Sequence, residues 1–348
     1  MHHDVWTLRE IQNQPKVWSD CFSMLDQIDL TGLVAGREPE RAEWVFVGCG
    51  TSYYLAQAAA SSLSMLLNVP ARAIPASEIL LFPSLALPHR EGAYFPILIS
   101  RSGHTSEVLR VAEYLQAHGI SFLAVTCDGH ELKEMTPRVL KLPVEEKSTV
   151  MTSSFTGMLL GLQYLAGTLA GRTAFLDALK SLPGELTRLL ETYTSKVEAF
   201  AQTELNDIAF LGQGPLYPIA SETALKVMES SSTYAQYFHT LEFRHGPKSI
   251  AGPKTLVGAL ISEAGLDQEA AVLSEMKLLG SSTMAVTNTA SRALTESADL
   301  LIELGLSVPE LARIAVYVVW GQLFGSYRGL AKGLDPDNPR NLSRVVTL

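Results

Sequence analysis

The loop Ser100-Arg101-Ser102-Gly103-His104-Thr105 places three hydroxyls around a glycine, between an apolar run and a helical pattern. Hydroxyls, freed backbone N–H groups and the positive end of a helix dipole are the donors a phosphate needs, and they supply them with little net charge. A second loop, Gly48-Cys49-Gly50-Thr51-Ser52, follows another apolar run and adds two hydroxyls. It begins like a dinucleotide fingerprint. Tyr53, however, stands at the third glycine position, and Asn68 and Val69 occupy the place of an acidic ribose partner, so nicotinamide and flavin are not expected. A third hydroxyl-rich stretch, Thr149-Val150-Met151-Thr152-Ser153-Ser154, can donate to a sugar or cap the helix that follows. The ionisable groups lie further on. Glu222, Lys226 and Glu229 fall at i, i+4 and i+7 on one helical face, and His245 sits among cations in Glu242-Phe243-Arg244-His245-Gly246-Pro247-Lys248. A surface ion pair and a satisfied core histidine are the plain structural readings. Beside a phosphate-held sugar, a carboxylate and a histidine would be base and acid for moving protons between adjacent carbons.

Such loops need a frame that gathers strand ends. In the first half, strands Trp44–Gly48, Phe95–Ser100 and Phe122–Thr126 alternate with helices from Ser52 to about Leu67 and from Glu107 to about His118. In the second, strands Ile208–Gly212, Leu256–Ser262 and Thr283–Thr287 alternate with helices Ile219 to about Ser230 and Gln268–Leu279. Gly48 stands before Ser100 almost as far as Gly212 before Ser262. Continuous apolar strands alternating with helices mean parallel βαβ units, with ligands outside the carboxyl ends of the strands. The expectation is α/β: two tandem, doubly wound, flavodoxin-like parallel-sheet domains from an internal duplication. Residues 1–34 form an N-terminal helical segment, 35–181 the first, phosphate-binding domain, and 182–348 a linker helix (Glu185 to Glu204), the second domain and a tail. The second-half loop Ser262-Glu263-Ala264-Gly265 gains an acid and loses two hydroxyls, so phosphate is expected only in the first half.

Composition narrows the function classes. The formal net charge is −9 and no basic block occurs, which argues against nucleic acid and anionic membranes as partners. The three cysteines, Cys21, Cys49 and Cys127, are scattered, which fits a reducing cytoplasm and gives no zinc motif. The first residues lack an apolar signal region. Ser148 to Gly171 carries no charge and could span a bilayer by length, but its polar start favours a buried core or interface helix.

Taken together, Gly48–Ser52, Ser100–Thr105, Ala224-Leu225-Lys226-Val227-Met228-Glu229, His245-Gly246-Pro247, Asp337–Arg344 and Glu10–Pro15 resemble the sugar isomerase (SIS) domain family. The match is to the tandem isomerase half of glucosamine-6-phosphate synthase and its stand-alone relatives. The synthase's glutaminase half and its N-terminal cysteine have no counterpart, position 2 being His2. The resemblance implies an amino-sugar-6-phosphate deaminase/isomerase that shifts a proton between C1 and C2 and releases ammonia. A fructosyl-amine phosphate deglycase, a plain aldose–ketose phosphate isomerase and a non-catalytic sugar-phosphate sensor stay open. Carried over by position, Gly50, Thr51, Ser52, Ser100, Arg101, Ser102, Thr105, Thr149, Ser343 and Arg344 would bind substrate. Glu229 would shuttle the proton, His245 would open the ring from across a homodimer interface, and Lys226 would complete the catalytic set. No cofactor or metal is implied. Two positions depart from the synthase branch: Arg344 stands where that branch has a lysine, and Met151 where it has a serine. A guanidinium cannot form an imine, so Arg344 is expected to close the tail over the sugar and orient Glu229 without a covalent step.

Overall fold

The computed structural model describes residues 5–36, 42–88 and 94–346; His2, Thr347 and Leu348 lie outside them. The chain folds into two compact units. One comprises Lys16–Glu146, Ser153–Lys180 and the tail from Ser343, and the other the N-terminal stretch to Pro15, Lys147–Thr152 and Ser181–Leu342.

The first unit holds strands β1 (Glu43–Gly48), β2 (Ala71–Pro75), β3 (Tyr94–Ile99), β4 (Leu123–Thr126) and β5 (Val139–Lys141). They pair in parallel in the order β2-β1-β3-β4-β5. All of β3 is buried, as a strand covered on both faces must be. Trp44 of β1 meets Phe95 of β3 edge to face, with ring centroids 5.0 Å apart. Helix Thr51–Leu67 packs on the sheet and on helix Ser153–Leu169. The latter is the uncharged stretch that raised the membrane question. Its residues from Ser153 to Gly167 are buried, and among the described residues no helix is long and apolar enough to cross a membrane.

The second unit holds β6 (Asp207–Gly212), β7 (Ala235–His239), β8 (Thr255–Leu260), β9 (Ser282–Thr287) and β10 (Leu300–Glu303), in the order β10-β9-β8-β6-β7. Read from the other edge, this is the topology of the first sheet, so the duplication expected from the spacings is present as two doubly wound repeats. Helix Glu310–Ala331 lies against helix Tyr217–Ser231 at very short range. Glycines four apart allow it. A Cβ on Gly321 would come within 2.3 Å of the Thr223 side chain, one on Gly325 within 2.9 Å of the Lys226 carbonyl oxygen, and one on Gly329 within 2.1 Å of the Ser230 carbonyl oxygen.

Two features depart from expectation. The strands β2, β5, β7 and β10 were not anticipated, because each is short and half-exposed and carries little periodicity. The linker helix runs over Thr173–Phe200 rather than Glu185–Glu204, straight through Pro183. Proline costs a helix one hydrogen bond, but the fully buried Leu179, Leu182, Leu186 and Leu189 continue one apolar stripe across it.

Candidate functional site

In the first sheet β1 lies between β2 and β3, so the winding reverses between β1 and β3, the place where sheets of this kind take ligands at the carboxyl ends. Two hydroxyl loops leave from there. After β1, Gly48 lets the chain fold back, since a Cβ there would sit 2.4 Å from the Ser52 carbonyl oxygen. Gly50, at φ +54°, takes the N-cap position of helix Thr51–Leu67 without a side-chain bond, so Thr51 and Ser52 are first-turn residues, buried to about 5% exposure, and not caps.

After β3, the Ser100 hydroxyl accepts the Gly103 N–H at 3.1 Å and lies 3.1 Å from the Thr105 hydroxyl, while the Ser102 hydroxyl accepts the His104 N–H at 3.1 Å. Gly103 is at φ +71°, and a Cβ there would strike the Gly129 carbonyl oxygen at 2.0 Å, so no other residue fits the turn. Thr105 is the N-cap of helix Ser106–Ala117 and makes no side-chain cap bond, which leaves its hydroxyl to the loop.

Arg101 follows Ser100 in the same loop. Its buried guanidinium donates to Glu146 at 3.1 Å and to the Arg344 carbonyl oxygen at 3.2 Å, and Glu146 also accepts the Ser154 N–H at 2.8 Å. The pair fixes the loop from behind. The tail lies on this same unit. Arg344 donates to the Glu146 carbonyl oxygen at 2.6 Å and stands 3.6 Å from the Asp128 carboxylate, Ser343 bonds the Val345 carbonyl oxygen, and the Ser106 N–H reaches the Val346 carbonyl oxygen at 3.4 Å. Those are the contacts of Arg344 within its own unit. Neither Glu146 nor Asp128 carried a sequence signal, because single acids become legible only when the fold supplies their partners.

The ionisable residues belong to the second unit. Lys226, 1% exposed, bonds the Glu229 carboxylate and lies 3.3 Å from Glu222, which is wholly buried. Burial alone would lower the Lys226 pKa, but the two carboxylates outweigh it and push it above the ordinary lysine value. The two carboxylates thus favour the charged lysine, which holds Glu229, whose side chain stays 19% exposed. The solvated-surface reading of this face does not survive for Lys226 and Glu222. Gly325, unnoticed in the sequence, sets the helix backbone under Lys226.

His245 ends the short turn Glu242–Arg244 and is exposed. Arg244 and Lys248 on either side bind one carboxylate, Glu275, at 2.9 and 2.8 Å, while Phe243 is fully buried. Lys248 first and Arg244 second draw the Glu275 pKa below its usual value. The turn is thus pinned at both ends with the imidazole outward. Thr149 is half-buried, its N–H bonded to the Asp337 carbonyl oxygen at 3.3 Å. Among the described residues, no group of three His, Cys, Asp or Glu side chains could hold a metal ion.

The SIS domain family model matches residues 40–166 and 203–318. The chain belongs to the SIS domain family. Among curated proteins, the glutamine–fructose-6-phosphate aminotransferase (isomerizing) of Methanothermobacter thermautotrophicus is 28% identical over 99% of this chain and 58% of its own length. That of Bacteroides thetaiotaomicron is 26% identical over 98% of this chain and again 58% of its own length. The chain therefore spans a little over half of these relatives. Among solved structures, glucosamine-6-phosphate deaminase from Thermotoga maritima superposes with a TM-score of 0.83 at 27% identity, covering 98% of this chain and 99% of that one. Tagatose-6-phosphate ketose/aldose isomerase from Escherichia coli gives 0.83 at 22% identity over 96% of each chain, a likeness of fold. The two matched segments coincide with the two sheets of this SIS protein.

Proposed function

We propose that this SIS protein is an amino-sugar-6-phosphate deaminase/isomerase acting on glucosamine- or galactosamine-6-phosphate. The family and its relatives support the broad class, an enzyme of sugar-phosphate metabolism. The observation that carries the finer reading is the Glu229 carboxylate, held on a buried, protonated Lys226 and still partly open. A carboxylate fixed by an ammonium that cannot leave is a base of defined position. In this reading the Ser100–Thr105 loop, with Thr51 and Ser52, holds the phosphate, and Thr149 donates to the sugar. His245, supplied by the partner subunit of a homodimer, opens the ring. Glu229 takes the proton from C2 of the open aldehyde and returns it at C1, leaving an imine at C2. Water adds to that imine and ammonia leaves, giving the ketose 6-phosphate.

The test is an assay of ammonia and ketose phosphate in parallel, with both hexosamine phosphates and a fructosyl-lysine phosphate. Equal amounts of ammonia and ketose phosphate from a hexosamine phosphate are expected. Aldose–ketose interconversion without ammonia, or release of lysine alone, would overturn the deaminase reading. Mixing Glu229→Gln and His245→Ala chains should restore activity if the site is shared between subunits.

A further inference from the structure

We propose that the N-terminal motif Glu10-Ile11-Gln12-Asn13-Gln14-Pro15 is a positioning device for the hydroxyl segment Lys147–Thr152, with Glu10 gripping its start and Gln14 its end. The proposal rests on reading Thr149 as a donor to the sugar. The segment has neither helix nor strand to order it, so its backbone polar groups must find other partners. Glu10 supplies the first. Its carboxylate accepts the Lys147 N–H at 2.5 Å and the Ser148 N–H at 3.3 Å, and the Ser148 hydroxyl bonds its second oxygen. The next N–H, that of Thr149, goes to the Asp337 carbonyl oxygen at 3.3 Å. The Asp337 carboxylate in turn accepts the Trp6 N–H at 2.8 Å and the Thr7 N–H at 2.7 Å, so it caps the same short helix, Trp6–Gln12, that presents Glu10. At the far end the Thr152 carbonyl oxygen accepts from Gln322 at 3.3 Å, and Gln322 accepts from Gln14 at 2.9 Å. Gln14 and Gln322 are fully buried, where an amide without partners would be costly.

Three consecutive N–H groups, Lys147 to Thr149, are therefore fixed by groups outside the segment, two of them by one carboxylate. Charge-assisted bonds of this kind are the stronger class. With the backbone held on both sides of it, the direction in which Thr149 leaves the chain is set before substrate arrives. In this proposal Glu10 and Gln14 are positioning residues that act on the site through that segment.

The experiment compares wild type, Glu10→Gln, Thr149→Val and the double variant by amide hydrogen exchange, by affinity for glucosamine-6-phosphate and for inorganic phosphate, and by melting temperature. In Glu10→Gln, exchange at Lys147–Thr149 should rise. Glucosamine-6-phosphate affinity should fall roughly tenfold, the worth of about one hydrogen bond to a charged group, while inorganic phosphate affinity stays unchanged. The double variant should bind no worse than Thr149→Val. Unchanged exchange at those amides would overturn the clamp whatever the substrate. Faster exchange with unchanged sugar affinity would overturn its role in the site. Equal loss of both ligands with a lower melting temperature would make Glu10 a fold stabiliser only, and overturn it as well. A wild-type chain that binds no sugar phosphate, yet shows the exchange change in Glu10→Gln, would sink the functional reading and keep the clamp.

Discussion

The third strand of each repeat ends in a serine-glycine turn, and the two turns have opposite fates. After β3 the Ser100 hydroxyl accepts the Gly103 N–H at 3.1 Å; after β8 the Ser262 hydroxyl accepts the Gly265 N–H at 3.0 Å. The first turn surrounds itself with further hydroxyls, Ser102 and Thr105. The second is filled from within: the Glu269 carboxylate, fully buried, accepts the Ser262 N–H at 2.9 Å and its hydroxyl at 2.6 Å. A Cβ on Gly265 would meet that carboxylate at 2.3 Å. The same serine-glycine turn is thus ringed by hydroxyls in one copy and filled by an internal carboxylate in the other. The second repeat carries Glu229 and His245. Under the proposed function, one repeat would hold the sugar phosphate and the other would react.

That division is broken most sharply at Glu229. Glu229→Gln keeps shape and hydrogen bonding but removes the base, so kcat should fall by about 10²–10⁴-fold, while affinity for the sugar phosphate stays near wild type. If affinity falls as far as turnover, the second repeat is part of the binding site and the division is wrong. Continued solvent-hydrogen exchange at C1 or C2 at the wild-type rate would remove Glu229 from the chemistry.

Next in size are matched serine variants. Ser100→Ala and Ser102→Ala should each weaken sugar-phosphate binding by about 1.5–3 kcal/mol, as for other hydrogen bonds to charged groups. Ser262→Ala should leave binding alone and cost stability, about 1–3 kcal/mol, because it strips a donor from a buried carboxylate. Calorimetric titration and urea melts of all three variants separate the cases. A binding defect in Ser262→Ala would show that both turns see the ligand.

How much of this could be read from the chain depends on whether a residue announces its partner. The central strands did, because Trp44–Gly48 and Phe95–Ser100 are continuous apolar runs closed by small or polar residues. The edge strand Ala71–Pro75 did not, since its pattern of half-buried residues looks like coil. The hydroxyl loops and the Glu222–Lys226–Glu229 spacing were legible as local motifs. Their environments were not: the burial of Lys226 follows from the glycine stripe of a helix about a hundred residues away, a pairing no local spacing encodes. Arg101 is legible as part of the loop motif. Its buried partner, Glu146, lies on a stretch with no periodicity, so nothing in the sequence linked the two. Glu269 was missed for the same reason, hidden in a helix whose acids looked like ordinary first-turn residues.

The tail from Ser343 belongs to the unit of the first sheet, and Arg344 tests whether that unit holds substrate, with a smaller effect. Its guanidinium reaches the Glu146 carbonyl oxygen and stands near the Asp128 carboxylate at the same time. A lysine keeps the charge but not the planar fork. Arg344→Lys should lower kcat/KM about threefold to tenfold, the loss of one ordinary hydrogen bond. Borohydride added during turnover should trap no sugar on the tail. A fully active chain lacking Asn341–Leu348 would free the tail from any part in holding substrate, and an adduct on Lys226 or Lys248 would place imine chemistry elsewhere.

The smallest effect is also the most specific to the filled cradle, and it is a pH dependence. Burial pushes the Glu269 pKa above the ordinary carboxylate value, against the pull of the Ser262 hydroxyl and N–H, with nearby Glu310 adding to the rise. The native state therefore holds this proton more tightly than the unfolded chain does. The stability tied to it is complete below the unfolded carboxylate pKa, about 4.3, and is lost as pH rises through the higher folded value. Glu269→Gln has no proton to lose. Measured by urea midpoints between about pH 4 and pH 8, the variant should gain on wild type as pH rises, even if it begins less stable because a neutral amide accepts the Ser262 donors more weakly. Ser100→Ala removes a hydroxyl that bonds the Gly103 N–H and the Thr105 hydroxyl rather than a carboxylate, and its difference from wild type should be flat across the same range. If the Glu269→Gln and wild-type curves run parallel, Glu269 does not titrate as a buried anion, and the second cradle must be kept from binding phosphate by its missing hydroxyls alone.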